Sequence, residues 1–259
     1  MKDEKIAAKE DNPHIPWVGQ HYRYPELTGA RRLEGGRRLN GAPSASDGFD
    51  GPRISVVTVV YNHVSTIERA IRSVVEQEYK NIEHIIVDGG SDDGTLDVLT
   101  KYQDQLEYFI SEPDAGVYHA MNKGISLATG DYVCILNADD FYDAAYFESG
   151  IAAAQTCPTD IVCGSIEMLG KQISPREINS GIFLGHLNFF HGTFLVSRDC
   201  YNAIGPYRES FKIVSDTFWV QEAFAQKKLF TVCGQAIVHF SDGGLSSGNT
   251  FEHRELLIS

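Results

Sequence analysis

From residue 53 onward, apolar segments of strand length alternate with segments whose apolar residues recur at helical spacing. Ile54–Val60 is an almost continuous β-branched run, and such a run is typical of a buried strand. In the segment after it, Ile67, Ala70, Ile71 and Val74 recur at the spacing of one helix face. We therefore predict a buried strand followed by an amphipathic helix.

The beginning of this helix carries a capping-box pattern. Ser65 precedes Glu68 by three residues, and at this spacing each side chain can accept a hydrogen bond from the backbone N–H of the other residue. We therefore expect Ser65 to cap the helix.

The alternation of strand and helix continues along the chain. Strands are predicted at 82–87, Tyr108–Ser111 and 132–136, and helices around 96–102 and 117–128. Alternating elements of this kind indicate βαβ units, and thus an α/β fold with a mostly parallel central sheet flanked by helices. In such a sheet, ligands bind beyond the carboxyl ends of the strands.

After Phe141 the predicted elements are shorter and of mixed type. Helices are predicted at 144–155, 199–204 and 216–226, and strands at 160–168, 194–196, 229–232 and 236–240. Short mixed elements are expected of a region that completes a site, so we predict one domain over residues 53–259. Residues 1–52 contain Pro13, Pro16, Pro25 and Pro43, which break any long element, together with glycine-rich loop sequence, and these features predict an extended or disordered N-terminal arm.

The net charge of −13 is carried entirely by residues 53–259, because the eight Lys/Arg and eight Asp/Glu of the arm cancel. Such a surface repels phosphate backbones, so no nucleic-acid partner is expected. An anionic ligand would need a metal ion, helix N-termini or a few well-placed basic groups. The arginine pairs of the arm, Arg31-Arg32 and Arg37-Arg38, are interpreted as part of a solvated linker, with phosphate or acidic lipid contact as the alternative.

Cysteine usage and hydropathy indicate the cellular compartment of the protein. The five cysteines include no C-x-x-C pair, so free thiols in a reducing cytosol are expected. No apolar run approaches the roughly 18–20 residues that cross a bilayer, and the first residues show no secretory signal. We expect a cytoplasmic protein with at most peripheral contact at the inner face of the cell membrane.

Acidic residues follow three of the first four predicted strands. Asp88, Asp114 and the pair Asp139-Asp140 stand at these strand ends, where carboxylates suit a divalent cation and sugar hydroxyls. Adjacent carboxylates repel each other unless a cation lies between them, which favours a metal at Asp139-Asp140. For Asp92 and Asp93, which precede a predicted helix, capping is the simpler interpretation.

Four motifs together resemble family 2 glycosyltransferases of the GT-A fold: residues 54–62 (ISVVTVVYN), 86–95 (IVDGGSDDGT), 111–130 (SEPDAGVYHAMNKGISLATG) and 131–140 (DYVCILNADD). The subgroup that the sequence most resembles contains bacterial glycosyltransferases of colanic-acid and related exopolysaccharide synthesis. The resemblance covers about residues 53–253. It implies a nucleotide-sugar-binding half at 53–141 and an acceptor-binding half at 142–259.

The resemblance also implies a reaction and its ligands. The expected donor is a nucleotide-diphospho-sugar, the cofactor is Mg²⁺ or Mn²⁺, and the sugar passes with inversion to a hydroxyl of a saccharide or lipid-linked saccharide. The residues that it assigns to donor binding are Val59, Tyr61, Asp88, Asp114, Asn122, Lys123, Asn137, Ala138, Asp139 and His191. It assigns the metal to Asp139 and Asp140, with His239 as a further ligand.

An inverting displacement needs a base that deprotonates the acceptor hydroxyl. Asp216 matches the family position for this base and stands at a predicted helix start beside Phe218 and Trp219. We expect partial burial to raise the pKa of Asp216 toward a useful value. The alternative is that Asp216 only caps the helix.

Three residues depart from the family pattern. Asn137 and Gly89 each stand where the family often has Asp, and His119 stands where the subgroup often has Asp. The Asn at position 137 affects the strength of metal binding. Many family members use the Asp at the position of Gly89 to contact the base, so the identity of the nucleobase does not follow from the resemblance. For His119 the expectations are a packing role or an imidazole that alters the choice of sugar.

Two other functions remain as alternatives. A sugar nucleotidyltransferase would carry a glycine-rich, basic phosphate loop after the first strand, where this chain has Tyr61-Asn62-His63-Val64. A non-catalytic sugar-nucleotide-binding protein is compatible with Asn137. A dinucleotide-binding dehydrogenase is disfavoured because no G-x-G-x-x-G follows the first strand.

Overall fold

The computed structural model describes residues 18, 33–41, 48–175 and 190–241. The strands in this part of the chain are β1 Leu33–Gly35, β2 Ile54–Val60, β3 Ile82–Asp88, β4 Tyr108–Ser111, β5 Tyr132–Asn137, β6 Phe141–Tyr142, β7 Ile161–Met168, β8 Lys171–Ile173, β9 Phe194–Ser197 and β10 Phe230–His239. The helices are α1 Ile67–Val75, α2 Thr95–Lys101, α3 Val117–Leu127, α4 Tyr146–Thr156, α5 Arg198–Ile204 and α6 Ser215–Ala225.

All ten strands belong to one sheet with the order β1-β4-β3-β2-β5-β9-β7-β10-β6, and β8 pairs with β7. The core of the sheet is parallel, since β2 runs parallel to both β3 and β5, and β4 runs parallel to β3. Strand β9 then joins this half to β7 through antiparallel pairing on both sides. The predicted α/β fold with a mostly parallel core and flanking helices is confirmed.

The central strand and its first helix follow from the hydrophobic pattern. All seven residues of β2 are buried, as expected for a strand covered on both faces. Helix α1 buries Ile67, Ala70, Ile71 and Val74 and leaves its other face to solvent. This amphipathic packing, rather than intrinsic helix propensity, is what stabilises a nine-residue helix.

The predicted capping box at α1 is wrong. Thr66 occupies the N-cap position and no side chain caps the helix. Glu68 instead accepts hydrogen bonds from Lys101 Nζ at 2.7 Å and from Tyr102 Oη at 2.8 Å, and so ties α1 to the end of α2.

The two strands predicted near residues 229–240 form one. Strand β10 pairs in parallel with β7 on both sides of a register shift between Val232 and Ile237. This irregularity coincides with the interruption of the apolar pattern that predicts two separate strands.

Part of the expected N-terminal arm belongs to the sheet. Strand β1 pairs antiparallel with the edge strand β4. Arg38 Nη2 donates to Glu83 Oε2 at 3.2 Å, and its Nη1 donates to the carbonyl oxygen of Leu127 at 3.1 Å. Arg38 is thus no part of a solvated linker. Arg31 and Arg32 lie outside the described residues.

Four strand ends are brought to one edge of the sheet. Val60 pairs with Asp88, Asp88 pairs with Ser111, and Val59 pairs with Asn137. The segments that follow β2, β3, β4 and β5 therefore start side by side, as the sequence predicts. No helix in the described ranges is long and apolar enough to cross a membrane, and all five cysteines are free thiols.

Candidate active site

The loop after β3 is organised around a buried carboxylate. Asp88 has no solvent exposure and accepts hydrogen bonds from the backbone N–H of Gly90 at 3.1 Å and of Ser91 at 2.9 Å. The hydroxyl groups of Ser91 and Ser111 also donate to it. The oxygens of Asp88 are therefore engaged in holding the loop that shapes the site, and a contact of Asp88 with base or ribose stays a prediction.

Tyr61, Gly89 and Asp114 line an open surface beyond the ends of β2, β3 and β4. The Tyr61 side chain is 61% exposed. A Cβ atom placed on Gly89 would lie 2.7 Å from Asp114 Oδ2 and 3.4 Å from Tyr61 Cδ2. The absence of a side chain at residue 89 thus lets the aromatic ring and the carboxylate approach each other.

Burial changes the chemistry of Asp114. Burial raises the pKa of its carboxyl group, although the backbone N–H of Gly116 donates to Oδ1 at 2.8 Å and acts in the opposite direction. The nearby His119 is also buried, and burial lowers the pKa of its imidazole. A carboxyl group beside an exposed tyrosine ring suits recognition of a flat ring that carries N–H donors.

Asn122 and Lys123 do not reach an open site, contrary to expectation. The Asn122 amide donates to the Tyr207 carbonyl at 2.8 Å and to Glu209 Oε1 at 2.9 Å, and it accepts from Tyr207 N at 2.9 Å. Lys123 Nζ is paired with Glu112 Oε1 at 2.6 Å, and its side chain is 5% exposed. Asn122 therefore joins α3 to residues 207–209, and Lys123 neutralises a carboxylate of its own chain.

The residues after β5 form an acidic turn. Asp140 is buried and accepts from the backbone N–H of Ser241 at 3.1 Å and from the Asn137 amide at 3.2 Å. Burial and the adjacent charge of Asp139 raise the pKa of Asp140 to about 6. Val59 and Ala138 are buried beside this turn and offer only backbone polar groups.

His239 is turned toward other carboxylates. Its Nε2 lies 3.6 Å from Asp143 Oδ2, and its Nδ1 lies 3.6 Å from Glu167 Oε2. Its ring stacks on Phe141 with the ring centroids 4.4 Å apart. Among the described residues, no three side chains of His, Cys, Asp or Glu form a metal-binding group, so the expected set of Asp139, Asp140 and His239 is not assembled here.

The acidic turn nonetheless has the chemistry of a hard-cation site. Two carboxylates are adjacent in this turn, and the raised pKa of Asp140 shows that its negative charge is unfavourable there. A bound cation would relieve this unfavourable charge. Mg²⁺ is usually bound through one or two carboxylates together with substrate phosphates and waters. Asp139, with Asp140 behind it, matches this small ligand set.

Asp216 lies in the first turn of α6 and is held at both oxygens. His191 Nδ1 lies 3.0 Å from Oδ2, and Tyr118 Oη donates to Oδ1 at 3.1 Å. The side chains of His191 and Asp216 are 20% and 27% exposed. Three elements meet here: the 3₁₀ turn His191–Thr193 before β9, the first turn of α3, and the start of α6.

The pairing reverses the pKa shift that burial alone would cause. Burial raises the pKa of Asp216, but the hydrogen bond and charge of His191 outweigh it and lower the pKa to about 2. Burial conversely lowers the pKa of His191, but Asp216 and the charge of Asp140 raise it above its ordinary value. The expected upward shift at Asp216 is therefore wrong, and the structure shows an ion pair with His191 instead.

His191 also connects the two acidic parts of the site. It is hydrogen-bonded to Asp216 and feels the charge of Asp140. Its Nε2 atom is buried and has no hydrogen-bond partner among the described residues. The Asp216 carboxylate and the acidic turn after β5 thus act electrostatically on the same imidazole.

Two contributors to this site were not predicted from the sequence. Tyr118 reaches Asp216 from α3, and Ser241 contributes its backbone N–H to Asp140. For Tyr118 a signal exists, because it lies in the Gly-Val-Tyr-His segment of a recognised motif. For Ser241 there is no local signal, since its partner is a hundred residues upstream in the chain.

The chain matches the model of "Glycosyl transferase family 2" over residues 55–216. The matched region runs from β2 to Asp216 and contains all four strand ends. The protein belongs to glycosyltransferase family 2, which confirms the family expected from the motifs.

Curated relatives agree with this assignment. A PGL/p-HBAD biosynthesis glycosyltransferase of Mycobacterium bovis is 29% identical over 214 residues, covering 80% of this chain and 83% of the relative. An uncharacterized glycosyltransferase of Mycobacterium tuberculosis is 41% identical over 195 residues, covering 66% of this chain and 69% of the relative. The protein is accordingly an enzyme of the glycosyltransferase class.

Solved structures show the same fold. TarS 1–349 of S. aureus, in complex with UDP-GlcNAc, matches with a TM-score of 0.63 at 18% identity, covering 76% of this chain and 61% of that chain. The mannosyltransferase PcManGT from Pyrobaculum calidifontis, in complex with GDP-Man and Mn²⁺, matches with a TM-score of 0.62 at 17% identity, covering 82% of this chain and 64% of that chain. The chain covers less than two thirds of either neighbour, and the likeness confirms the GT-A fold.

Proposed function

We propose that this enzyme transfers a sugar from a nucleotide-diphospho-sugar to a hydroxyl of a saccharide or lipid-linked saccharide, with inversion at the anomeric carbon and with a divalent cation. The observation that carries the proposal is that His191 is hydrogen-bonded to Asp216 and is also acted on by the charge of Asp140. A carboxylate that can take a proton and an acidic turn that can hold a cation are thereby parts of one site. Two solved neighbours contain UDP-GlcNAc or GDP-Man with Mn²⁺, which supports this class of donor.

The donor is proposed to lie along the carboxyl ends of β2, β3, β4 and β5. The Tyr61 ring and the Asp114 carboxyl group receive the base, and the loop held by Asp88 supports them from behind. The diphosphate faces the turn of Asn137, Asp139 and Asp140. Asn122 and Lys123 support the donor half through their own partners and do not contact the donor.

Asp139, supported by Asp140, is proposed to hold the cation. A bound Mg²⁺ or Mn²⁺ would neutralise the charge that develops on the departing diphosphate. Lys123 is paired with Glu112 and therefore does not supply its charge to the diphosphate. Arg69 Nη2 lies 2.8 Å from the Asp139 carbonyl oxygen and orients the backbone rather than a ligand.

The acceptor is proposed to approach from the side of α6, where Asp216 supplies the base. The carboxylate is 27% exposed, so an acceptor hydroxyl can reach it. As the hydroxyl oxygen bonds to the anomeric carbon, the bond from this carbon to the diphosphate breaks and the hydroxyl proton passes to the base. A pathway of polysaccharide or glycoconjugate assembly is consistent with such an acceptor.

A thermal-shift panel of UDP-, GDP-, dTDP- and CMP-sugars, each with and without Mn²⁺, tests this function. We expect one nucleotide to raise the melting temperature only when Mn²⁺ is present. A ligand at 100 times its dissociation constant adds about 2.7 kcal/mol of stability, which such an assay detects. The matching donor should then release its nucleotide when saccharide acceptors are added. If no donor stabilises the protein or is turned over, the proposal of a nucleotide-sugar transferase fails.

Replacing Gly89 by Ala is expected to weaken donor binding several-fold while the thermal stability changes little. The new Cβ would lie 2.7 Å from Asp114 Oδ2, so the carboxyl group must move away from the Tyr61 ring. Donor affinity by calorimetry measures the effect. Gly234→Ala is the matched control, because its Cβ would meet only Ser174 Oγ at 4.0 Å. Unchanged affinity in Gly89→Ala would contradict the placing of the base.

A further inference from the structure

The carboxylate of Asp216 is fixed by side chains that come from outside its own helix. Tyr118 holds Oδ1 from α3, and His191 holds Oδ2 from the turn before β9. A lone carboxylate at a helix start can rotate about its side-chain bonds. With a donor on each oxygen, this one is confined to a single orientation.

Tyr118 also fixes the backbone at the beginning of α6. Its hydroxyl oxygen accepts a hydrogen bond from the backbone N–H of Ser215 at 3.1 Å while its proton is donated to Asp216. The preceding residue, Val214, has φ = 75°, an unfavourable conformation for a β-branched residue that persists only when its surroundings enforce it. The tyrosine hydroxyl is one of the contacts that enforce it.

The same tyrosine lies next to the donor side of the site. Tyr118 is in the first turn of α3, and Gly116, the N-cap residue of this helix, donates its N–H to Asp114. Only Val117 therefore stands between the residue that holds Asp114 and the residue that holds Asp216. The first turn of α3 is a short rigid connection between the proposed base pocket and the proposed catalytic carboxylate.

We propose that Tyr118 and His191 are positioning residues that fix the direction of the Asp216 lone pairs toward the acceptor hydroxyl. This inference rests on the proposed function and gives His191 a role different from contact with the diphosphate. It also gives a role to the hydroxyl group of Tyr118, a buried residue whose hydroxyl lies beside a carboxylate. Precise placement of a reacting group contributes strongly to the rate, and misplacement by about 1 Å can cost on the order of a hundredfold.

Tyr118→Phe removes the hydroxyl and keeps the ring. We expect kcat to fall by about tenfold or more while KM for the donor and the donor affinity stay within a few fold. The hydrogen bond from Tyr118 lowers the pKa of Asp216, so its loss should also move the acidic limb of the pH–rate profile to higher pH. The other ionisable groups that act on Asp216, His191 and Tyr207, are unchanged in this variant.

Two substitutions distinguish the roles of the two ring nitrogens of His191. In His191→Asn the side-chain amide can occupy the place of Nδ1 and donate to Asp216, whereas in His191→Gln the amide extends toward the place of Nε2. We expect His191→Asn to retain clearly more kcat than His191→Gln, with donor affinity similar in both. Equal kcat in the two variants would overturn the role assigned to Nδ1.

Tyr201→Phe is the matched control, because it removes another buried hydroxyl, 3.2 Å from Tyr207 Oη, that does not touch Asp216. It should leave kcat and the pH profile unchanged. If Tyr118→Phe behaves like Tyr201→Phe, or loses donor affinity as strongly as kcat, the positioning role is refuted. A wild-type enzyme inactive toward every donor would instead refute the proposed function, so the two failures are distinguishable.

Discussion

Replacing Asp216 by Asn is expected to lower kcat for sugar transfer by about 10²–10⁴-fold, the usual contribution of a positioned base. Donor affinity should stay within about threefold, because the donor is proposed to contact the strand ends and not α6. The Asn side chain has nearly the same shape and can still accept from His191, which lies 3.0 Å from the carboxylate. Initial rates with saturating donor, together with donor affinity by calorimetry, check the prediction.

The control for this variant is Asp199→Asn, which removes an exposed carboxylate from the first turn of α5. It should leave both kcat and donor affinity unchanged. If Asp216→Asn loses donor affinity in parallel with kcat, the carboxylate belongs to donor binding and its assignment as the base is wrong. If Asp216→Asn keeps full activity, another group removes the proton.

The second large effect is expected from Asp139→Ala. The carboxylate of Asp139 accepts no hydrogen bond from the described part of the chain, whereas both oxygens of Asp140 are engaged by Ser241 and Asn137. Loss of Asp139 should therefore remove the principal metal ligand. We expect the Mn²⁺-dependent part of the donor-induced thermal shift to disappear, with donor affinity reduced on the order of 10–100-fold or more.

Asp104→Ala removes the same charge from an exposed position before β4 and serves as the control for net charge. Its Mn²⁺-dependent shift should equal that of the wild type. The assignment of the metal to Asp139 would be contradicted by an undiminished metal-dependent shift in Asp139→Ala. Asp140→Asn, which replaces one carboxylate oxygen by an NH₂ group and removes the charge, should have an intermediate effect on metal dependence.

Much of the donor half could be predicted because its strands are buried on both faces. Tyr108–Ser111 forms β4 with the predicted bounds, and β2 is as expected. In a parallel sheet covered by helices, each strand is a nearly continuous apolar run, and the polar residue that ends the run marks the binding edge. This is why the sequence predicts that Asp88, Asp114 and Asn137 follow strands that end at one edge of the sheet.

The partners of buried polar groups could not be predicted in the same way. Asn122 is satisfied by residues 207 and 209, and Lys123 is satisfied by Glu112 on the preceding loop. A buried polar side chain must find a hydrogen-bond partner, but nothing in the local sequence tells which distant residue supplies it. A motif residue can therefore be essential to the shape of a site without facing its ligand.

The charge state of Asp216 could not be predicted from the local sequence either. Local sequence suggests a carboxyl group among aromatic residues, and burial alone raises its pKa. The dominant opposing partner, His191, stands 25 residues upstream and meets Asp216 only through the folding of β9 against the sheet. The sign of the pKa shift is thus a property of the tertiary structure.

The short strand β1 determines where a truncated form of the domain can begin. It covers the outer edge of β4, and Arg38 from the same segment lies against the fully buried carboxylate of Glu83. An uncovered strand edge is a template for pairing with other chains and so for aggregation. A truncated chain that begins at residue 55, where the family match starts, would expose this edge and also lack Arg53, which reaches Glu83 Oε2 at 3.1 Å. A unit that keeps the β4 edge covered and Glu83 paired therefore begins well before the residues that define the family.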